Sequence, residues 1–227
     1  MSEPTPLRRV EDHSEELRAA DGRVPGLRGR ATRQRLLACT LEMLTSTSYR
    51  DVKVIDIARE AGTSPATFYQ YFPDVEAATL VLAEEMAQQG QHLRLIITEG
   101  SWLEGEAMAT ALELVDAFLV FWDSHRSVLR VVDLATDEGD GRFQKIRVRL
   151  LNDITTALAE VVRQAQKAGR IPKTIDPMAA AGVLVAMLAH TAAHQYGFEF
   201  WGIRTAKLRQ SMARQVSWGV TGIIPPD

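Results

Sequence analysis

The chain has 227 residues and a formal net charge of −3, with 46% hydrophobic and 24% charged residues. This ordinary globular composition excludes a wholly disordered chain, and the length allows at most two ordinary domains. The single cysteine, Cys39, excludes an internal disulfide framework, and no apolar run approaches the roughly 18–20 residues that cross a bilayer. We therefore expect a cytoplasmic protein.

Positive charge is concentrated near one end of the chain. Residues 23–73 contain eight Arg or Lys against four Asp or Glu, so this stretch carries about +4 and the remainder about −7. Because salt screens charges beyond about a Debye length, this local excess matters more for phosphate binding than the net charge. The N-terminal part is therefore the part suited to DNA.

Residues 1–29 are predicted to form a flexible N-terminal arm, because they are rich in proline and glycine and poor in large apolar side chains. A series of arginines without an intervening acid spans the end of this arm: Arg23, Arg28, Arg30, Arg33 and Arg35. Basic arms of this kind follow a groove or phosphates beside several helix-turn-helix domains. The alternative is a solvated tail that leads into a helix.

From Thr32 onward, apolar residues recur every three or four positions, which predicts an amphipathic helix. Its apolar face comprises Leu36, Leu37, Leu41 and Leu44. Asp51 is placed to cap a second, short helix. The inner side of that helix comprises Val54, Ile57, Ala58 and Ala61. Gly62 is expected to end it, since glycine adopts the left-handed conformation at low cost.

Ser64 and Pro65 predict the start of a third helix that runs to Phe72. Phe68 and Phe72 are four positions apart and are expected to pack inward on one face. The opposite face has uncharged polar groups suited to phosphate oxygens and base edges in a major groove: Thr67, Tyr69, Gln70 and Tyr71. The alternative is a short core helix with two partly buried tyrosines.

The run from Val54 to Phe72, with the Leu36-Leu37 helix and Tyr49 before it, resembles the DNA-binding signature of the TetR family of transcriptional regulators. The resemblance covers residues 30–78. It implies an all-α protein with a three-helix helix-turn-helix DNA-binding domain at residues 30–74 and a helical-bundle ligand-binding and dimerisation domain at 75–227. It also implies a repressor, not an enzyme, that leaves a palindromic operator when a small, largely apolar ligand binds.

The resemblance further implies individual DNA contacts. Ser64 stands where the family caps its recognition helix and touches phosphate, Thr67 where bases are met, and Tyr69 where a hydroxyl holds the backbone. With the arginine arm, the predicted DNA-binding residues are Arg28, Arg30, Arg33, Thr63, Ser64, Thr67, Tyr69, Gln70 and Tyr71. Val75 replaces a lysine that the family usually has at the start of the next helix, so the arginines are expected to carry the salt dependence of binding.

Beyond Asp74, periodicity predicts six helices, over about 75–97, 104–122, 127–134, 142–168, 177–196 and 205–222, and the fifth of these is expected to have Asp176 as its cap and Pro177 at its first position. The last two are apolar on more than one side, which favours burial against another surface. In the resembled family, the last two helices form a four-helix bundle with the twin subunit. We therefore expect a homodimer that presents two recognition helices about 34–36 Å apart.

Aromatic and polar positions in the middle helices are predicted to form an apolar ligand pocket, with a filled core as the alternative. The candidates are Phe118, Phe121, Trp122, Met187, His190, His194, Phe198 and Trp201. No basic cluster occurs among them, which favours an apolar ligand over a sugar or nucleotide. His190 and His194 have the spacing of two metal ligands, but we expect pocket or interface histidines, with no metal and no cofactor.

Other classes of protein fit the sequence less well or equally well. An enzyme with an appended bundle is disfavoured, because a glycine-rich phosphate loop, a nucleophile motif and a carboxylate cluster are missing. A regulator that activates, or that responds to a partner protein, would have the same sequence pattern.

Overall fold

The computed structural model describes residues 26–224, and all regular structure in this range is helical, which confirms the predicted all-α class. Of the predicted arm, residues 1–25 lie outside the described range. The chain divides into two compact units between Thr79 and Leu80, inside a helix that begins at Val75. Within residues 26–224, each helix is too short or too polar to span a membrane.

The first unit contains α1 (Leu27–Ser46), a 3-10 helix (Tyr49–Asp51), α2 (Val54–Glu60) and α3 (Pro65–Tyr71). The predicted start of α1 at Thr32 is wrong. The Arg30 N–H already donates to the Gly26 carbonyl at 2.9 Å, and the Thr32 hydroxyl donates to the Arg28 carbonyl at 3.1 Å. The helix extends to Leu27 because Gly29 weakens a helix without ending it. Arg28 and Arg30 therefore lie on a helix.

The core of the first unit is centred on one stripe of α1. Leu36, Leu37 and Leu44 are buried as predicted, but Leu41 is 38% exposed and Thr40 is buried in its place. With 3.6 residues per turn, Leu41 lies at the edge of the stripe and Thr40 near its centre. The Thr40 hydroxyl donates to the Leu36 carbonyl at 2.8 Å, which satisfies this buried polar group.

Asp51 does not cap α2, contrary to the prediction. It belongs to the 3-10 helix, and the N-cap position of α2 is Lys53, which makes no side-chain capping bond. Val52 and Lys53 are both extended, so they separate Asp51 from the first N–H groups of α2. The Asp56 N–H, for example, donates to the Lys53 carbonyl at 3.0 Å.

The rest of the described chain is also helical, and its first helix crosses the boundary between the two units. Its helices are α4 (Val75–Gln89), α5 (Gln91–Glu99), α6 (Ala107–Ser124), α7 (Arg126–Asp137), α8 (Gly141–Lys167), α9 (Pro177–Ala193), α10 (Gln195–Phe200) and α11 (Thr205–Thr221). The predicted helix over 75–97 is broken at Gly90, and the one over 177–196 begins as predicted but ends at Ala193. The predicted helices over 104–122, 127–134, 142–168 and 205–222 are confirmed with small shifts of their ends.

The starts of α8 and α9 follow from capping side chains. The Asp176 carboxylate accepts a hydrogen bond from the Ala179 N–H at 2.7 Å, and Pro177 occupies the first turn, as predicted. Asp140 accepts from the Arg142 N–H at 2.8 Å in the same way at α8. These caps place α8 and α9 so that they pack together, with α7 against α8 and α6 against α9. The four helices enclose the cavity described below.

Candidate DNA-binding surface and ligand cavity

The turn between α2 and α3 has the geometry of a helix-turn-helix. Gly62 ends α2 with φ +64°, in the left-handed region that favours glycine. The Ser64 hydroxyl accepts from the Thr67 N–H at 3.2 Å, and Pro65 begins the helix. The predicted stop, cap and first position are all confirmed. They leave only a short turn between the two helices, so α2 sets the direction of α3.

The two faces of α3 differ sharply in burial. Phe68 is fully buried and Phe72 is 2% exposed, and their ring centroids are 5.6 Å apart, so both pack inward as predicted. On the other side Tyr69 is 52% exposed and Gln70 is exposed. Thr67 and Tyr71 are half-buried, as is Thr63, while Ser64 is exposed. The α3 side chains that were predicted to contact DNA therefore lie on the surface of the first unit.

The arginines of α1 have different environments. Arg28 and Arg30 are exposed near its start. Arg33 is only 8% exposed, and its guanidinium lies 5.2 Å from the centroid of the Phe72 ring. A guanidinium over an aromatic ring is attracted to the ring face, so Arg33 stabilises the packing of α1 against the end of α3. Arg28 and Arg30 are exposed, so their predicted contact with phosphate stays a prediction.

The start of α4 already carries an anion. The Asp74 carboxylate accepts from the Ala77 N–H at 2.7 Å, so it caps the helix where Val75 replaces the expected lysine. A helix N-terminus attracts anions through its free N–H groups and its dipole. Here the side chain of Asp74 occupies that position, and its charge would repel a phosphate.

In the second unit, α6, α7, α8 and α9 enclose a cavity of about 470 Å³. Most of its wall is apolar: Trp122, Leu129, Val132, Leu150, Leu151, Gly182, Val185, Ala186, Ala189 and Ala193. Five polar side chains complete it: Asp133, Arg147, Thr155, His190 and His194. The size and the mixture of an apolar wall with a few polar groups are typical of small-molecule sites.

The structure brings together only some of the predicted pocket residues. Trp122, His190 and His194 line the cavity. Phe118 and Phe121 are buried behind Trp122, with ring centroids 4.5 Å and 5.7 Å from it. Met187 is half-buried. Three of the eight predicted pocket residues thus line this cavity, and Phe118 and Phe121 pack against Trp122.

Two further candidates lie at an adjoining cavity. Phe198 and Trp201 line a space of about 310 Å³ together with Gly197 and the two histidines. Trp201 is 71% exposed, and its ring meets Phe198 edge-on at 5.7 Å. Exposure on this scale is unusual for a residue that encloses a ligand, so these aromatic rings form a surface rim.

The sequence did not point to the α7 and α8 residues of the cavity. Leu129, Val132 and Leu150 belong to regular apolar stripes that are indistinguishable from ordinary core. The signal in the sequence was the charge of Asp133 and Arg147, which interrupts these apolar stripes. In the structure the two residues form an ion pair, in which Arg147 Nε donates to Asp133 Oδ1 at 2.8 Å. The predicted pocket residues contain no basic cluster, and they did not include Arg147, which lines the cavity.

The two histidines of the cavity lie close together. The His190 and His194 ring centroids are 4.5 Å apart. In the part of the chain that the structure describes, no three His, Cys, Asp or Glu side chains are grouped closely enough to hold a metal ion. Both rings are exposed at the cavity mouth, where they can donate or accept hydrogen bonds.

Solved structures with the same fold come from several bacteria. The fatty acid degradation regulator FadR from Bacillus halodurans is 15% identical, with a TM-score of 0.62 over 87% of this chain and 97% of that chain. FadR from Bacillus subtilis, in complex with stearoyl-CoA, is 17% identical, with a TM-score of 0.61 over 84% and 98%. The MbdR regulator from Azoarcus sp. CIB is 18% identical, with a TM-score of 0.61 over 85% and 99%. These likenesses concern the fold.

Two family models match the sequence itself. Residues 36–77 match the model of bacterial regulatory proteins of the tetR family. Residues 93–227 match a tetracyclin repressor-like C-terminal domain. The first match contains the exposed face of α3, and the second contains the cavity. The chain belongs to the TetR family and is a transcriptional regulator with an N-terminal DNA-binding domain.

Proposed function

We propose that this regulator is a repressor that binds a palindromic operator as a homodimer and leaves it when a small, largely apolar ligand enters the cavity of the second unit. One observation carries the proposal: Tyr69 and Gln70 are exposed on α3 while Phe68 and Phe72 hold the helix from the other side. Rigid inner packing with an outward polar face is what a recognition helix requires.

Each residue on this surface has a role that matches its chemistry. The Gln70 amide can pair with an adenine edge, and the Tyr69 and Tyr71 hydroxyls can donate to phosphate. Thr63, Ser64 and Thr67 are close to the α3 N-terminus, where backbone N–H groups also attract phosphate. Arg28 and Arg30 add charge from α1, and a role for Arg33 in DNA binding stays a prediction beside its packing role.

The cavity supports an apolar ligand. Its wall is mainly aliphatic, with Trp122 at one side, and its volume of about 470 Å³ is within the range of small-molecule sites. The similar FadR from Bacillus subtilis was solved with stearoyl-CoA, a molecule with a long apolar chain. A ligand releases the repressor only if it binds the DNA-incompetent state more tightly than the DNA-competent state.

TetR regulators dimerise, and α9 and α11 offer a suitable face in this chain. Val183 of α9 is 70% exposed and Trp218 of α11 is 52% exposed. The two helices approach closely, since a Cβ on Gly219 would lie only 3.0 Å from Leu184 Cδ1. A twofold pair through these helices would place two copies of α3 on one operator with twofold symmetry.

The test is operator binding by variants of α3. Fluorescence anisotropy with DNA from the gene's own upstream region should show tight binding by the wild type. Gln70→Ala should weaken this binding by about 1–3 kcal/mol and should relax the sequence preference at one base position. Gln164→Ala, the same change at an exposed position of α8, is the matched control and should bind like the wild type. Equal affinities for all three proteins would refute the assignment of α3.

Repression itself is tested in a reporter strain. The wild type should lower expression from the upstream region, and Gln70→Ala should restore it. Higher expression with the wild type than without it would show an activator, which the same fold allows.

A further inference from the structure

The cavity has a charged corner that an apolar ligand alone would leave unsatisfied. Asp133 of α7 and Arg147 of α8 form their ion pair at the cavity wall, and both side chains are about half exposed, at 46% and 44%. An apolar molecule that fills the cavity would remove water from both groups. Since desolvated charges are costly without new partners, the occupant needs a polar group at this corner.

The corner continues into a smaller cavity that is rich in arginine. This space of about 50 Å³ shares Trp122, Leu129, Asp133 and Ala193 with the larger one, and Arg126, Arg130 and Ala192 line the rest of it. Arg126 pairs with Asp123 at 3.2 Å and lies 4.4 Å from the centroid of the Tyr196 ring.

Arg130 differs from the other two arginines. Among residues 26–224, no carboxylate lies within ion-pair distance of it, and its side chain is exposed. Asp133 lines the smaller cavity together with Arg130, whereas its ion pair within residues 26–224 is with Arg147. The corner carries one cation more than it has anions.

We propose that the ligand of this cavity is an amphiphile with a carboxylate group, which Arg147 and Arg130 bind while its apolar body lies against Leu129, Val132 and Val185. The proposal rests on the proposed ligand cavity and names the chemical class of its occupant. Within the described part of the chain, Arg147 bonds to Asp133 through Nε. Its terminal N–H groups therefore remain to form a bidentate contact with a carboxylate.

Opposite and neutral head groups fit the same corner less well. A ligand ammonium would find Asp133 already engaged and would face two guanidinium groups. A neutral hydroxyl would gain one hydrogen bond but would leave the excess charge of Arg130 uncompensated. The carboxylate is the group whose charge matches the corner.

The experiment is isothermal titration calorimetry of the full-length protein with four probes of one chain length: decanoate, decanol, decylamine and decanoyl-CoA. We expect decanoate to bind at least about tenfold more tightly than decanol, and decylamine most weakly. Arg147→Gln should weaken decanoate at least about tenfold and leave decanol unchanged. Asp133→Asn should strengthen decanoate, because it removes the competing anion.

A matched pair of controls lies on α8 outside the cavity lining. Arg163 and Glu160 form an exposed ion pair at 2.8 Å, so Arg163→Gln and Glu160→Gln change the same charges without touching the cavity. Both should bind decanoate like the wild type. Thermal unfolding of each variant checks that it is folded, and Asp133→Asn provides an independent result if Arg147→Gln does not fold.

Contrary results would exclude the carboxylate ligand, the cavity or both. Equal binding of decanol and decanoate, or weaker decanoate binding by Asp133→Asn, would exclude a carboxylate ligand but would still agree with an apolar ligand in the cavity. Binding of decanoyl-CoA without decanoate also overturns it, since the anion would then be a phosphate. If no probe binds while operator binding is intact, the carboxylate ligand and the assigned cavity are both refuted, and the DNA-binding function is not.

Discussion

The Cδ1 atom of Leu150 occupies the space that a Cβ atom on Gly90 would need. Gly90 separates α4 from α5, and Leu150 lines the ligand cavity from α8. Phe121 closes the same space, with Cζ 3.4 Å from that Cβ position. The Leu150 side chain therefore contacts both the cavity and Gly90, the residue between α4 and α5. We expect that a ligand that displaces Leu150 also moves the backbone at Gly90.

Gly90→Ala should disturb this contact. The added methyl group must displace Leu150, which is 5% exposed, so we expect a loss of about 1–3 kcal/mol in the free energy of unfolding. Leu150→Ala alone should cost about 2–5 kcal/mol through its cavity. In the double variant the losses should be less than additive, because the smaller side chain makes room for the methyl group. Urea denaturation measures this, and additive losses would contradict the contact.

Ser64 allows the cap of α3 to be separated from its DNA contact. Ser64→Ala should cost about 1 kcal/mol in the free energy of unfolding, because the Thr67 N–H loses its acceptor. Ser64→Asp keeps a capping side chain and should fold like the wild type, yet its charge should repel DNA. Denaturation and anisotropy on the same samples give both values. Wild-type operator affinity for Ser64→Asp would show that this position does not approach phosphate.

The arginines of α1 should divide into two groups. Arg28→Ala and Arg30→Ala should each reduce the slope of log affinity against log salt by about one, with little change in unfolding. Arg33→Ala should instead lower stability by about 1–2 kcal/mol, because its contact with the Phe72 ring is lost. The measurements are salt titrations of operator binding and urea denaturation. An effect of Arg33→Ala on the salt slope alone would favour a phosphate contact.

Dimerisation through α9 and α11 is tested with two glutamate substitutions. Val183→Glu places a charge on the proposed interface and should weaken the dimer at least about hundredfold, since an unpaired carboxylate is costly to bury. Val148→Glu makes the same change on α8, at a site that is 58% exposed, and should leave the dimer intact. Light scattering after gel filtration gives the masses. A dimeric Val183→Glu protein would exclude this interface.

Stability should depend on pH through His125, at the junction of α6 and α7. Burial lowers the pKa of this imidazole from its usual 6.5, and the charge of His92 lowers it further. The unfolded chain therefore binds the proton more readily, so the stabilising contribution is complete above about pH 6.5 and is lost as the pH falls through the lower pKa of the folded state.

His125→Gln should remove this dependence. The Tm of the wild type should fall more than that of the variant between about pH 7 and pH 5. His194→Gln, a change at an exposed histidine, serves as the control and should follow the wild type. Parallel curves for all three proteins would refute the role of His125.

Local residues were sufficient to predict the helix-turn-helix. A glycine with positive φ at Gly62, the cap at Ser64 and the proline at position 65 act within one turn of the chain. The inward packing of Phe68 and Phe72 follows from their spacing of four on one helix. Each of these signals is short in range, so the order of residues alone contains it.

Packing between distant segments decided the features that the sequence did not indicate. Leu150, far along the chain, fills the space that a side chain at Gly90 would need, between α4 and α5. Arg33 is buried because Phe72 from α3 lies under it. The cavity draws its charged corner from α7 and α8, where only the fold brings Asp133 to Arg147. Amphipathic periodicity predicts which side of a helix is buried. The tertiary structure determines which residues that side contacts, because steric fit and ion pairing act between segments that are remote in sequence.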